Sequence, residues 1–235
     1  MVEIKKLSII IPAYNEENNI QELLTKVINV PLERYGISKE IIVIDDGSND
    51  STTEIVKKFK SIKLIQLNKN IGKGYAVRTG IKNATGEIIL IQDADLEYDP
   101  NEYYSLINPI INKQAKVVYG SRRLKESNRK YSSLSFFIGG IGLTMLTNIL
   151  YPNLQITDEP TCYKVFRSDI IKNIPLKCKR FEFCPEVTAK IGKKRIKIHE
   201  VPISYFPRSV ENGKKIRWKD GIEAVWTLLK YRFTD

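Results

Sequence analysis

The chain has 235 residues, 42% of them hydrophobic and 28% charged, which is enough apolar mass for a sizeable core and excludes wholesale disorder. Its net charge of +11 is uneven: residues 1–162 carry 20 Lys/Arg against 19 Asp/Glu, whereas residues 163–235 carry 18 against 8. Three cysteines (Cys162, Cys178, Cys184) without a C-x-x-C pair, and one histidine, exclude a Cys/His metal cluster and point to small buried thiols in a reducing compartment.

Met1 to Lys6 is charged and runs directly into Leu7–Ile11, so the sequence predicts no signal peptide and a place in the cytosol or on a cytosolic membrane face. Leu7–Ile11 itself is a short, isoleucine-rich apolar run, hence a buried strand. From Glu16 to Asn29 the apolar residues Ile20, Leu23, Leu24, Val27 and Ile28 form a helical stripe. Ile41–Ile44 predicts a second strand and Ser51–Lys60 a second helix, with N-cap chemistry offered by Asn49, Asp50 and Ser51. Ile62–Leu67, Gly74–Asn83, Glu87–Ile91, Asn101–Ile111 and Lys116–Tyr119 continue as strand, helix, strand, helix and strand. Such alternation implies βαβ units and a mainly parallel sheet, whose ligands bind outside the carboxyl ends of the strands.

Beyond residue 130 the pattern changes. Tyr131 to Thr157 is 27 residues without a charge, interrupted by Ser, Thr, Asn and three glycines. A membrane span needs roughly 20 predominantly apolar residues, so these interruptions favour a helix packed on the sheet or lying at a membrane interface. Helices at Ser168–Asn173 and Phe181–Ile191, a strand at Arg195–Val201, a polar loop through Arg208 and Lys215, and a last helix at Trp218–Phe233 complete the predicted elements. No repeat or linker divides the chain, which reads as a single domain over 1–235.

The chemistry lies in polar clusters just past three strands: Pro12–Glu16, Asp45–Ser48 and Asp93–Asp95. Asp93 and Asp95, two residues apart in a turn, present carboxylates toward one cation, and Glu97 offers a third oxygen. Hard oxygen ligands of this kind select Mg²⁺ or Mn²⁺ shared with substrate phosphates. There is no G-x-x-x-x-G-K-[ST] loop and no G-x-G-x-x-G after the first strand, so diphosphate charge falls to the metal and to cationic side chains. His199 lies in a basic stretch without a nucleophile motif, which sets a Ser/His/Asp triad aside. The aromatics of the basic third form no stacking motif, which argues against nucleic acid and leaves an anionic bilayer, a phosphorylated substrate or simply a solvated surface of lysines.

Four segments, Ile-Ile-Pro-Ala-Tyr-Asn-Glu (10–16), Ile-Asp-Asp-Gly-Ser (44–48), Gly-Lys-Gly-Tyr-Ala (72–76) and Gln-Asp-Ala-Asp-Leu (92–96), resemble in order and spacing the signature series of the family 2 inverting glycosyltransferases. The resemblance implies an α/β GT-A fold: a mainly parallel twisted sheet flanked by helices, with a C-terminal acceptor-side elaboration. Residues 1–125 would form the nucleotide-sugar half and 126–235 the acceptor half. Gly-Ser-Arg (120–122) and Val-Pro-Ile (201–203), followed by Arg208 and Lys215, are similar to the dolichol-phosphate mannosyltransferase branch, whose acceptor is a polyprenyl phosphate.

Carried over by position, the resemblance implies a GDP- or UDP-sugar donor held by Pro12, Ala13, Tyr14, Asn15, Glu16, Ile44, Asp46, Lys73, Asp93 and Ala94. It implies a metal on Asp93, Asp95 and Glu97, and catalytic roles for Asp95, Arg122, Arg208 and Lys215. Two acceptors remain open. A lipid phosphate is already a nucleophile and needs cations. A sugar hydroxyl needs a base, for which Asp158 or Glu159 would serve. The uncharged 131–157 run beside the basic C-terminal third favours the lipid phosphate, with the protein peripheral on an anionic membrane surface.

Overall fold

Leu7, Ile9 and Ile11 alternate with Ser8 and Ile10 along the first strand, and all five side chains are buried because helices cover both faces of the sheet. The strands are β1 (Lys6–Ala13), β2 (Ser38–Asp45), β3 (Ile62–Gln66), β4 (Ile88–Ile91), β5 (Val117–Ser121), β6 (Lys164–Arg167) and β7 (Ile198–Pro202). This computed structural model, which describes residues 4–128, 134–207 and 218–234, joins them into one sheet in the order β3-β2-β1-β4-β6-β5-β7. β1 pairs in parallel with β2 and β4, as does β2 with β3 and β5 with β7, while β6 lies antiparallel between β4 and β5.

Period-2 alternation sends odd and even residues into two cores. Leu7, Ile9, Ile11 and Val43 pack under α1 (Ile20–Asn29), α2 (Thr52–Lys57) and α4 (Tyr103–Ile111). On the opposite face Ile10, Ile42, Ile44 and Ile89 meet α3 (Lys73–Asn83), with α6 (Ser168–Ile171), α7 (Phe183–Lys193) and α8 (Trp218–Phe233) contributing to the same core. Gly80 of α3 sits so close to β1 and β2 that a Cβ there would stand 2.4 Å from Ile10 Cγ2 and 2.8 Å from Ile44 Cδ1.

The predicted helix from Glu16 begins four residues later, at Ile20, because the intervening loop bonds instead to residues 48–52. The uncharged run forms α5 (Leu134–Leu150), and none of the described helices is long and apolar enough to cross a membrane. α5 is turned inside out: Thr144 and Thr147 are buried, whereas Met145 is 61% and Ile149 74% exposed. α8, packed beside α5, likewise exposes Trp218 (70%) and Trp226 (64%).

Candidate active site

β1 has β2 on one side and β4 on the other, so the chain reverses its winding direction there and opens a crevice at their carboxyl ends. The three predicted clusters meet around it. Asn15, held at φ 49°, lets two loops interlock: its N–H donates to Ser48 Oγ at 3.0 Å and its side-chain oxygen accepts from Asn49 N at 2.9 Å. Glu16 N donates to Thr52 Oγ1 at 2.8 Å, and the Glu16 carboxylate accepts from Asn19 at 2.8 Å. Pro12 and Tyr14 are partly exposed at this edge. Ala13 and Ile44, expected to line the donor pocket, are buried, and Ile44 packs under Gly80 of α3. Ile44 thus has no surface open to the crevice, because the sheet is covered on both faces.

Asp46 is expected to bond the base or ribose. Its oxygens instead accept the backbone N–H groups of Ile71 (2.9 Å) and Gly72 (2.7 Å), pinning the loop that precedes α3. Burial raises its pKa, and those two amides offset the rise only in part. Gly72, at φ 123°, has no room for a side chain, since a Cβ would stand 2.5 Å from the carbonyl oxygen of Lys179. Gly74 N and Tyr75 N donate to the carbonyls of Arg180 (2.9 Å) and Lys179 (3.0 Å). The second and third amides of α3 are thus satisfied by protein.

Lys73 points its ammonium at Asp93, 2.7 Å from Oδ2 in a hydrogen bond and 2.6 Å from Oδ1 in a charge contact that lacks hydrogen-bond geometry. A further contact reaches Cys162 Sγ at 3.3 Å. Burial works against the Lys73 charge, but Asp93 together with the sulfurs of Cys162 and Cys184 outweighs it and holds the pKa well above the ordinary lysine range. Next to Asp93, Gln92 is fully buried at the end of β4. Its Nε2 donates to the Asp93 carbonyl (2.9 Å), and its Oε1 accepts from Tyr103 (2.8 Å) and Tyr163 (2.6 Å). Ala94 is buried, and Asp95 accepts from Glu97 N at 3.2 Å.

Among the described residues no three Asp, Glu, His or Cys side chains converge on a metal position, so Glu97 does not complete the expected trio with Asp93 and Asp95. Two carboxylates still suit a divalent ion. Mg²⁺ and Mn²⁺ take one or two from the protein and the rest of their oxygens from phosphate and water. Asp93 Oδ1, buried without a hydrogen bond, is an oxygen of the required kind.

Across the crevice Arg122 grips Asp158. Nε and Nη2 donate to the two carboxylate oxygens at 2.7 and 2.6 Å, and the Arg122 backbone N adds a bond at 2.9 Å. Burial opposes the Asp158 charge, yet Arg122 holds its carboxyl below the usual range. Glu159 is fully buried, and neither of its carboxylate oxygens has a hydrogen bond. Burial pushes its pKa up to about 7 against the opposing charge of Lys164. A cleft of about 720 Å³ runs past Lys73, Arg122, Arg123 and Glu159 and is walled by α5 and the start of α8. Cys162 and Cys184 also line it, so two of the three thiols expected in the core face the site. Arg208 and Lys215 lie outside the described residues. Arg123 went unread in the sequence although it is the second arginine of Gly-Ser-Arg-Arg.

The sequence pattern described as glycosyl transferase family 2 matches residues 8–174 of this chain. The chain belongs to that family. The UDP-N-acetylglucosamine–dolichyl-phosphate N-acetylglucosaminyltransferase of Methanococcus voltae is 30% identical, the match covering 90% of this chain and 91% of that one. A dolichol-phosphate mannosyltransferase of Pyrococcus furiosus is 32% identical over 96% of this chain, which spans 64% of that protein's length. The glucosyl-3-phosphoglycerate synthase of Mycobacterium tuberculosis, solved with Mn²⁺, uridine diphosphate and phosphoglyceric acid, superposes with a TM-score of 0.74 at 17% identity, covering 98% of this chain and 80% of that one. The same enzyme with Mg²⁺ and uridine diphosphate gives 0.72 at 16% identity, covering 98% and 80%. The fold is that of the GT-A glycosyltransferases, and the protein is a glycosyltransferase.

Proposed function

We propose that this glycosyltransferase moves a sugar, with inversion and with a divalent metal, from a nucleotide-diphospho-sugar to a polyprenyl phosphate at the cytosolic face of a membrane. The observation that carries the reading is the cleft, where cations (Arg123, with Lys73 and Arg122 that are paired to Asp93 and Asp158) meet apolar walls from α5 and α8. An anionic head on an isoprenoid tail has that polarity. Both sequence relatives carry dolichyl or dolichol phosphate in their names, which supports the same acceptor class here.

In this reading residues 1–125 hold the donor and 126–235 the acceptor. Asp93 and Asp95 hold Mg²⁺ or Mn²⁺, which supplies charge neutralisation for the departing nucleoside diphosphate. The crevice beside Pro12–Glu16 receives the nucleoside, and Asp46 keeps the loop ahead of α3 in place beneath it. A phosphate oxygen of the acceptor attacks the anomeric carbon from the face opposite the leaving group. The carbon–oxygen bond to the diphosphate breaks, and its electron pair leaves with the nucleotide. No proton has to be removed, which accords with Asp158 being tied to Arg122.

One observation favours the second reading, a sugar hydroxyl as acceptor. Glu159 titrates at about 7, where a general base is most useful. Labelled UDP- and GDP-sugars, each tested with a short polyprenyl phosphate and with free sugars, separate the two. The lipid-phosphate reading expects an EDTA-sensitive lipid product of inverted anomeric configuration, and transfer to free sugars alone would overturn it.

A further inference from the structure

We infer that Lys73 is a built-in counter-ion standing in for the metal on Asp93, and that the donor's diphosphate draws it away, so that metal and nucleotide bind cooperatively. This rests on the donor site proposed above. The Asp93 side chain is largely withdrawn from water, and a buried carboxylate without a compensating charge is strongly destabilising. In the absence of ligands Lys73 supplies that charge, with Nζ within 2.7 Å of both oxygens. A divalent ion on Asp93 would be pressed against the ammonium, so each excludes the other.

Where Lys73 can go is limited. Its backbone opens α3, and that turn is fixed by Asp46 on one side and by the carbonyls of Lys179 and Arg180 on the other. Only the four-carbon side chain is left to swing. Its other hydrogen-bond acceptor is a thiol sulfur at 3.3 Å, a weak partner for a displaced ammonium. Metal arriving alone must therefore evict Lys73 without giving it a comparable partner. A diphosphate supplies one, since phosphate oxygens are strong acceptors for lysine. The coupling is reciprocal: whatever factor the nucleotide adds to metal affinity, the metal adds to nucleotide affinity.

The test measures Mn²⁺ binding directly, from the electron paramagnetic resonance signal of the free ion, on the purified chain and on Lys73→Gln and Lys73→Arg. Without nucleotide, Lys73→Gln should bind Mn²⁺ at least fivefold more tightly than the parent, while Lys73→Arg, which keeps the charge, should stay near the parent. Calorimetry with UDP and with GDP should then give a parent nucleotide affinity raised at least fivefold by Mn²⁺, and a smaller factor in Lys73→Gln. Circular dichroism checks that the variants fold. Equal Mn²⁺ affinity in Lys73→Gln and the parent, including no binding in either, overturns the inference. Tighter Mn²⁺ binding in Lys73→Gln with neither nucleotide bound by the parent would instead overturn the donor-site reading, and the hand-over with it.

Discussion

Arg122 and Asp158 cancel one another in the wall of the cleft, tying the end of β5 to the segment that leads into β6. The Asp158 side chain is 1% exposed and that of Arg122 24%, so the pair is sheltered on the acid side and touches water on the basic side. Removing the arginine strands a buried carboxylate, a loss of roughly 3–5 kcal/mol, toward the lower end because water still reaches the arginine position. For a chain of this size that corresponds to a fall in Tm of about 6–12 °C. Thermal melts should place Arg122→Met well below Asp158→Asn, which keeps a neutral acceptor for the guanidinium. Equal melting points would mean the contact contributes little.

Asp46 makes a second prediction. Because both oxygens hold the backbone at Ile71 and Gly72, Asp46→Ala should loosen the loop before α3 and, through it, Lys73. Losing charge-assisted bonds of this sort costs roughly 1.5–3 kcal/mol each. Calorimetry should show nucleoside-diphosphate affinity falling about tenfold or more, and hydrogen exchange should quicken at residues 67–74. Weaker nucleotide binding with unchanged exchange would assign Asp46 to direct contact instead.

How far residues alone led is clearest at β6. The strands with apolar isoleucine and valine runs were readable, but Lys164–Arg167 is four residues with a charge at each end, and no period marks it. It is a strand because it fills the gap between β4 and β5, and Lys164 is buried there, 3.6 Å from the centre of the Tyr119 ring and donating to the Glu159 carbonyl at 2.8 Å. At the second helix, where Asn49, Asp50 and Ser51 all offer N-cap chemistry, it is the Asp50 carboxylate that accepts from Thr52 N at 3.0 Å, while Ser51, at the cap position, makes no side-chain cap. In the site, Asp46, Asp93 and Asp95 lie just past strand ends as their positions in sequence predict. The partners of Asp46 and Asp93 were hidden, because those pairs join residues 20 to 26 positions apart and form only when loops from different βα units meet.

Glu159 predicts a pH dependence. Its folded pKa of about 7 stands above the ordinary 4.5, so the fold binds this proton more tightly than the unfolded chain does. The stability it lends is complete below about pH 4.5 and is lost as pH rises through 7, amounting to about 3 kcal/mol. Glu159→Gln does not lose it. The variant should therefore melt several degrees above the parent at pH 8, with the advantage shrinking toward pH 4.5. A pH-independent difference would show that Glu159 is already charged in the fold. The same variant weighs the two acceptors, since full transfer to polyprenyl phosphate excludes Glu159 as the base, and abolished turnover with both substrates still bound requires one.

The last prediction concerns where the protein sits. On α5 the exposed Leu134, Ile138, Met145 and Ile149 recur at helical spacing, and on α8 so do Trp218, Ile222 and Trp226. The two helices pack together and wall the same cleft, which Trp218 and Ile222 also line, so exposed apolar side chains lie on the helices that bound the space a lipid tail would use. Each large side chain buried in a bilayer contributes roughly 1.5–3 kcal/mol, and each nearby Lys or Arg adds about 1 kcal/mol on anionic lipid before screening. Salt weakens the second contribution and leaves the first. Co-sedimentation with phosphatidylserine-rich vesicles should accordingly fall as salt rises but level off above zero. Ile149→Glu with Trp226→Glu, both at exposed positions and so without consequence for the core, should abolish that salt-resistant remainder while the circular dichroism spectrum is unchanged. Undiminished binding of the double variant would mean that this face does not meet the bilayer. Parent binding to neutral vesicles as strong as to anionic ones at every salt concentration would assign the anchoring to the apolar face alone and leave the basic third to the acceptor phosphate.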